Sequence, residues 1–208
     1  MEKRDNYQIQ AMQAKQHFLT YDQDALIKKL KLDFDEDYLY VNFMGQKHRI
    51  HRKTGDMERF SGDVWVGANS FGEVLTILDL VCDSRADRYL TGRWKSMGTF
   101  GLQFHQNLLE DRKNPDADRI QANPDAFCRA CVSMGGRSLS GCDIGYAIEL
   151  FDGLEIGIQF WLGDDEFYPR LRYLWDENAL RYIRYETMYY AVGLLMQRIR
   201  ERMDVYAL

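Results

Sequence analysis

This chain of 208 residues lacks long apolar runs, linker segments and the familiar catalytic signatures. No apolar stretch approaches the roughly 20 residues a membrane span needs. The polar start, Met1-Glu2-Lys3-Arg4-Asp5-Asn6, offers no apolar core for a secretory signal. There are only 3 prolines, and no Pro/Gly/Ser-rich stretch divides the chain, so residues 1–208 are expected to form a single domain. A Gly-rich phosphate loop, a Gly-x-Ser-x-Gly elbow and a paired-His zinc helix are all missing. Positive charge is not in excess either: 27 Lys+Arg face 32 Asp+Glu, for a net charge of -5. A general nucleic-acid binder needs a cationic face to displace counterions, so nucleic acid is not an expected partner. With 4 cysteines and no export signal, the expected compartment is the cytoplasm, where thiols stay reduced.

What is present reads as a globular chain. Apolar residues make up 46% and charged residues 28%, which excludes a disordered polymer, and 13% aromatics predict a bulky core. Tyr7, Ala11, Ala14 and Phe18 recur at helical spacing, and a short helix with Asp24 as its cap follows. From Tyr38, Leu39, Val41 and Phe43 alternate with Tyr40 and Asn42, and a turn is expected at Gly45-Gln46. The basic run Lys47–Lys53 then returns; it could meet a phosphate or another anion, but a solvated edge strand is the simpler account. Ser70 and Glu73 have capping-box spacing ahead of the apolar stripe Phe71, Val74, Leu75, Leu78, Val81 and Cys82. Asn114-Pro115-Asp116 and Asn123-Pro124-Asp125 each read as a helix start. Ile144–Phe151 and Leu154–Leu162 flank Asp152-Gly153, a strong hairpin turn. A last helix carries Met188, Val192, Leu195, Met196, Ile199 and Met203 on one stripe, with Arg198, Arg200 and Arg202 towards its carboxyl end, where cations are favoured.

Two groups of residues invite chemistry. Cys128 and Cys131, with Cys142 further on, have spacing that suits a tetrahedral ion or an iron–sulfur edge, yet the pair falls inside a predicted helix, where small buried thiols are the simpler account. The acidic turn Asp164-Asp165-Glu166 offers oxygen ligands for Mg²⁺ or Ca²⁺, or a carboxyl group raised by Trp161 or Phe167, or merely a solvated turn. His48 and His51, three apart on a strand, face opposite sides and cannot chelate together, while His17 and His105 are isolated in sequence.

The closing block carries a likeness. Gly163-Asp164-Asp165-Glu166-Phe167-Tyr168-Pro169, then Leu174-Trp175-Asp176, then Tyr182-Ile183 with Glu186, resembles the end of the family called domain of unknown function 3786. Asn6-Tyr7, the hairpin around Gly45 and Leu90-Thr91-Gly92-Arg93-Trp94 fall in that family's order. Tyr168 interrupts the usual Phe-Pro, Trp175 replaces a Phe, Arg184-Tyr185 stand in place of Pro-Thr, and Thr187 stands where a second acid is usual. The resemblance implies no established activity. Some relatives carry fused iron–sulfur modules, which implies a link to anaerobic redox or corrinoid metabolism, but this sequence shows no such module.

The expected fold is α+β: a largely antiparallel sheet of about five to seven strands, packed on one face by helices. The expected function is binding of a small molecule, or an accessory role, in a pocket near the acidic turn. Trp94, Trp161 and Phe167 would form its walls, and Asp164, Asp165 and Glu166 its polar groups. A metal-dependent enzyme, or an iron–sulfur or zinc redox accessory protein using those acids or the cysteines, is the alternative. An exposed aromatic patch would add a homodimer.

Overall fold

Alternating and helical periods sort the chain into two five-stranded antiparallel sheets and the helices packed on them. A computed structural model describes residues 6–101, 106, 107, 109, 110 and 114–206. The expectations for Met1–Asp5 and His105 lie outside the described residues.

Helices α1 (Asn6–Phe18) and α2 (Gln23–Leu30) precede the first sheet. Asp22, two residues ahead of the expected Asp24, caps α2 by accepting from the Asp24 and Ala25 amides. The sheet runs in chain order: β1 (Asp33–Phe34), β2 (Tyr38–Phe43), β3 (Gln46–His51), β4 (Met57–Ser61) and β5 (Val64–Gly67). The basic strand β3 is therefore central and not an edge. Arg49 pairs with Glu58 at 2.6 Å, Lys47 lies over the Tyr40 ring at 4.9 Å, and Arg52 just beyond the strand meets Asp24 at 3.4 Å. The β2–β3 turn is Met44-Gly45, one residue earlier than expected, because Phe43 pairs with Gln46. Met44 holds φ +50°, rare for a side-chain-bearing residue. Its place is secured by burial and by an amide that donates to Leu150 O at 2.9 Å in the second sheet.

Helix α3 (Phe71–Asp83) leads to β6 (Trp94–Ser96), then α4 (Pro115–Ala122) and α5 (Pro124–Ser133), whose Asn114 and Asn123 caps both accept from the first turn as expected. The second sheet is ordered β6-β10-β9-β8-β7, with β7 (Arg137–Ser138), β8 (Ile144–Phe151), β9 (Leu154–Trp161) and β10 (Arg170–Asp176). Asp152 at φ +50° and Gly153 at φ +80° make the two-residue hairpin turn between β8 and β9. Helix α6 (Tyr185–Tyr206) lays Met188, Val192, Leu195, Met196, Ile199 and Met203 into the core, against α3 and α5. Each such side chain contributes about 1.5–3 kcal/mol relative to exposure. One continuous apolar cluster joins the helices to both sheets. The α+β class and the antiparallel pairing stand as expected; the strands divide into two sheets instead of one. No helix among the described residues is long and apolar enough to cross a membrane.

Candidate functional site

The acidic turn closes on itself. Asp164 Oδ1 accepts from the Glu166 and Phe167 amides, each at 2.8 Å, and the Asp164 amide donates to Phe167 O at 2.9 Å. Gln121 of α4 clamps Gly163 by donating to its carbonyl at 3.3 Å and accepting from its amide at 2.9 Å. Asp165 and Glu166 extend into solvent, and Phe167 is 69% exposed. A shallow recess lies here, lined by Gln121 and residues 163–169. The two tryptophans do not wall it. Trp161 pairs with Arg170 at one end of β10, its ring flanked by Arg170 and Arg172 at 5.5 and 5.3 Å, whereas Trp94 pairs with Asp176 at the other end and lies across Gly157.

The cysteines are dispersed in role. Cys131 points from α5 into the core, Cys128 lies against Tyr146, and Cys142 precedes β8 with its thiol 3.9 Å from Leu139 O. Among the described residues no three His, Cys, Asp or Glu side chains gather as a metal site. Burial, with Asp83 beside it, pushes the Cys82 thiol up to about 12, and burial also raises Cys131. Burial also raises the half-exposed Cys142 thiol, and thiolate is the reactive form, so iodoacetamide at neutral pH is expected to label Cys128 first and Cys142 next, with the buried Cys82 and Cys131 at least about tenfold slower until the chain unfolds. Peptide mass spectrometry reads this out; equal labelling of all four in the folded protein would contradict it.

The densest polar chemistry lies elsewhere, where β3–β5 meet the start of α3 and the last turns of α6. A recess of about 440 Å³ opens there, lined by Arg59, Glu73, Gln197, Arg198, Glu201 and Arg202 among others. Its floor is a buried charged cluster. Glu73 is 5% exposed and His48 0% exposed, and Arg198 is also buried. Glu73 Oε1 accepts from Arg59 Nη1 at 3.0 Å and lies 3.6 Å from Arg198 Nη2, while Oε2 accepts from the Ser70 hydroxyl at 2.8 Å. Arg198 Nη1 donates to Phe43 O at 3.1 Å. His48 Nδ1 donates to Gln46 O at 2.9 Å, which leaves Nε2 facing Arg198 Nη2 at 3.4 Å and Glu73 Oε1 at 4.0 Å.

Electrostatics follow from that packing. Burial alone would raise the Glu73 carboxyl, but His48, Ser70 and Arg59 more than offset it and bring the group down to about 2. Burial lowers Arg198 to about 10; Glu73 opposes the fall, and the neighbouring Arg59 and Arg202 cations add to it. Arg198 therefore stays charged at neutral pH among other cations.

Sequence reasoning missed this site because each member had a local explanation. Glu73 sits three residues after Ser70, and Ser70 Oγ does accept from the Glu73 amide at 3.4 Å, but the carboxylate turns to Arg59 and the Ser70 hydroxyl instead of the Ser70 amide. Arg198 was expected to serve the helix terminus; α6 runs on to Tyr206, so Arg198 lies two turns inside it and points inward. The signal within reach was His48, a titratable residue on the same strand face as Ile50, opposite the buried Val41 of an alternating strand. A family model described as Domain of unknown function (DUF3786) matches residues 22–198, a span that holds His48, Arg59, Glu73 and Arg198. No curated protein and no solved structure matches the chain.

Proposed function

The chain belongs to the DUF3786 family of domains of unknown function, and we propose that it is a small-ligand-binding or accessory protein whose site is the recess between β3–β5 and α6. One observation carries this reading: polar side chains from four separate elements, β3, β4, α3 and α6, converge on a single recess above a buried Glu73–His48–Arg198 cluster. Buried charge is costly to hold, and groups so placed concentrate at sites of function. A recess of about 440 Å³ is in the range that holds a metabolite-sized ligand. The recess at the acidic turn is the poorer place for it, since Asp164 spends an oxygen on its own turn and Asp165 and Glu166 are solvated. Four unpaired cysteines support a reducing compartment, and we place the protein in the cytoplasm on that ground.

The test is amide chemical-shift mapping with pooled small polar metabolites. Shifts are expected at Arg59, Ser70 and Gln197, and they should vanish in Gln197→Trp, which puts bulk at the exposed rim without touching the buried cluster. Shifts centred on residues 163–169 instead would move the site back to the acidic turn, and an absence of shifts anywhere would remove the reading.

A further inference from the structure

Resting on the reading of this recess as a ligand site, we infer that its ligand is a small hydroxylated oxyanion, a phosphorylated or carboxylated polyol, whose charged oxygens sit between Arg59 and Arg202. Three guanidiniums, Arg59, Arg198 and Arg202, face two carboxylates, Glu73 and Glu201, which leaves one positive charge in excess. The carboxylates are already engaged. Glu73 takes Arg59, Ser70 and the neighbourhood of Arg198, and Glu201 Oε1 accepts from Gln197 Nε2 at 3.0 Å. Arg202 is half-buried and makes no ion pair or hydrogen bond among the described residues. Arg59 commits only Nη1, to Glu73, and its side chain is 40% exposed to the recess mouth.

Like charges crowded at the edge of a low-dielectric floor repel one another, and an anion between them relieves that repulsion while satisfying the unused N–H groups. The planar fork of arginine matches the oxygens of a phosphoryl or carboxylate group.

The rest of the lining describes the ligand's body. Leu194 is the one apolar side chain on the wall, so an aliphatic or aromatic body has little to pack against. Gln46 commits Nε2 to Phe60 O at 3.1 Å and Gln197 commits Nε2 to Glu201, leaving both amide oxygens as free acceptors among the described residues. Ser61 on the same wall is also uncommitted. Acceptors of this kind call for hydroxyl donors. A polyanion fits worse, because the chain's net charge of -5 repels an extended one.

Calorimetric titration with glucose 6-phosphate, gluconate and glucose tests this, on the wild type and on Arg202→Met, Arg59→Met and Arg202→Lys. One or both anions are expected to bind at least about tenfold tighter than glucose, and whichever binds identifies the headgroup as phosphoryl or carboxylate. Arg202→Met and Arg59→Met should each weaken that anion about tenfold to a hundredfold, with Arg202→Lys recovering part of the loss. Arg59→Met also removes a partner of Glu73, so Arg202→Met, outside the buried cluster, is the decisive variant if the former unfolds. Glucose binding as tightly as the anions, or anion affinity unchanged in Arg202→Met but abolished in Gln197→Trp, overturns the oxyanion while leaving the recess as a ligand site. So does binding of an oligonucleotide with none of the three small probes. If none of the probes binds, the inference fails, and the shift mapping with pooled metabolites separately decides whether the recess binds anything.

Discussion

Glu73→Ala is expected to destabilise the protein by about 3–5 kcal/mol, because removing one partner from a buried ion cluster leaves the others uncompensated. Here the stranded charge would be Arg198, buried and 3.6 Å from the lost oxygen. The pH dependence gives a second, independent signature. The folded carboxyl lies at about 2 against an ordinary 4.5, so folding favours its charged form. A depressed acid contributes fully above about pH 4.5 and loses its contribution as pH falls towards 2, a term of about 3 kcal/mol. Urea denaturation of the wild type and Glu73→Gln between these limits should therefore show a gap that narrows on acidification. A gap that stays constant with pH, or a Glu73→Ala loss below about 1 kcal/mol, would mean the cluster is not held as described. Pairing Glu73→Leu with Arg198→Met should recover much of the single-variant loss, since replacing both charges by apolar groups removes the stranded ion.

That cluster also marks the boundary of what could be read from the linear chain. Features set by neighbours in sequence were legible: the α6 stripe repeats every three to four residues, and Asp152-Gly153 supplies the positive φ angles its turn requires. Features set by distant residues were not. Alternation marks Tyr38–Phe43 and Ile144–Phe151 as strands, but the pattern is identical whether they share a sheet or, as here, belong to two sheets joined by the Met44 amide. The turn at Met44 was displaced because glycine is the usual carrier of positive φ, and burial of Met44 outweighs that preference. The acidic turn drew attention through its density of carboxylates. Asp164, whose side chain reaches the amides two and three residues on, is the common structural use of such a residue in a turn. Trp94 and Trp161 are both aromatic and half-buried on one sheet, yet the register places them at opposite ends of β10, a fact no spacing reveals.

Asp176→Ala should cost about 3 kcal/mol and loosen the segment before β6, although the residue lies outside the recess. Two stretches that resemble the family pattern, Leu90–Trp94 and Leu174–Asp176, meet at this one carboxylate. It accepts from the Thr91 amide at 2.9 Å, the Gly92 amide at 2.7 Å, the Thr91 hydroxyl at 3.2 Å and the Asn178 amide at 2.8 Å. Hydrogen bonds to a charged acceptor contribute about 1.5–3 kcal/mol net each, and their loss is less than additive because the freed amides can turn to water. Gly92 holds φ +72°, a left-handed conformation that presents its amide to the carboxylate and that a side-chain-bearing residue resists. Four donors converge on its two oxygens, so the place of Asp176 in the closing block follows from fastening β6 to β10. Asp176→Asn tests that assignment more sharply than truncation: it keeps the shape but turns an NH₂ towards at least one backbone N–H, and should lose nearly as much stability as alanine. Hydrogen exchange at Thr91 and Gly92 should accelerate in both variants while exchange at the Ile156 and Ile158 amides, deeper in the sheet, is slowed or quickened only in step with global stability. If Thr91 and Gly92 keep their protection in Asp176→Ala, the segment is held by something other than this carboxylate, and the strand pairing of Trp94 with Asp176 becomes the remaining explanation.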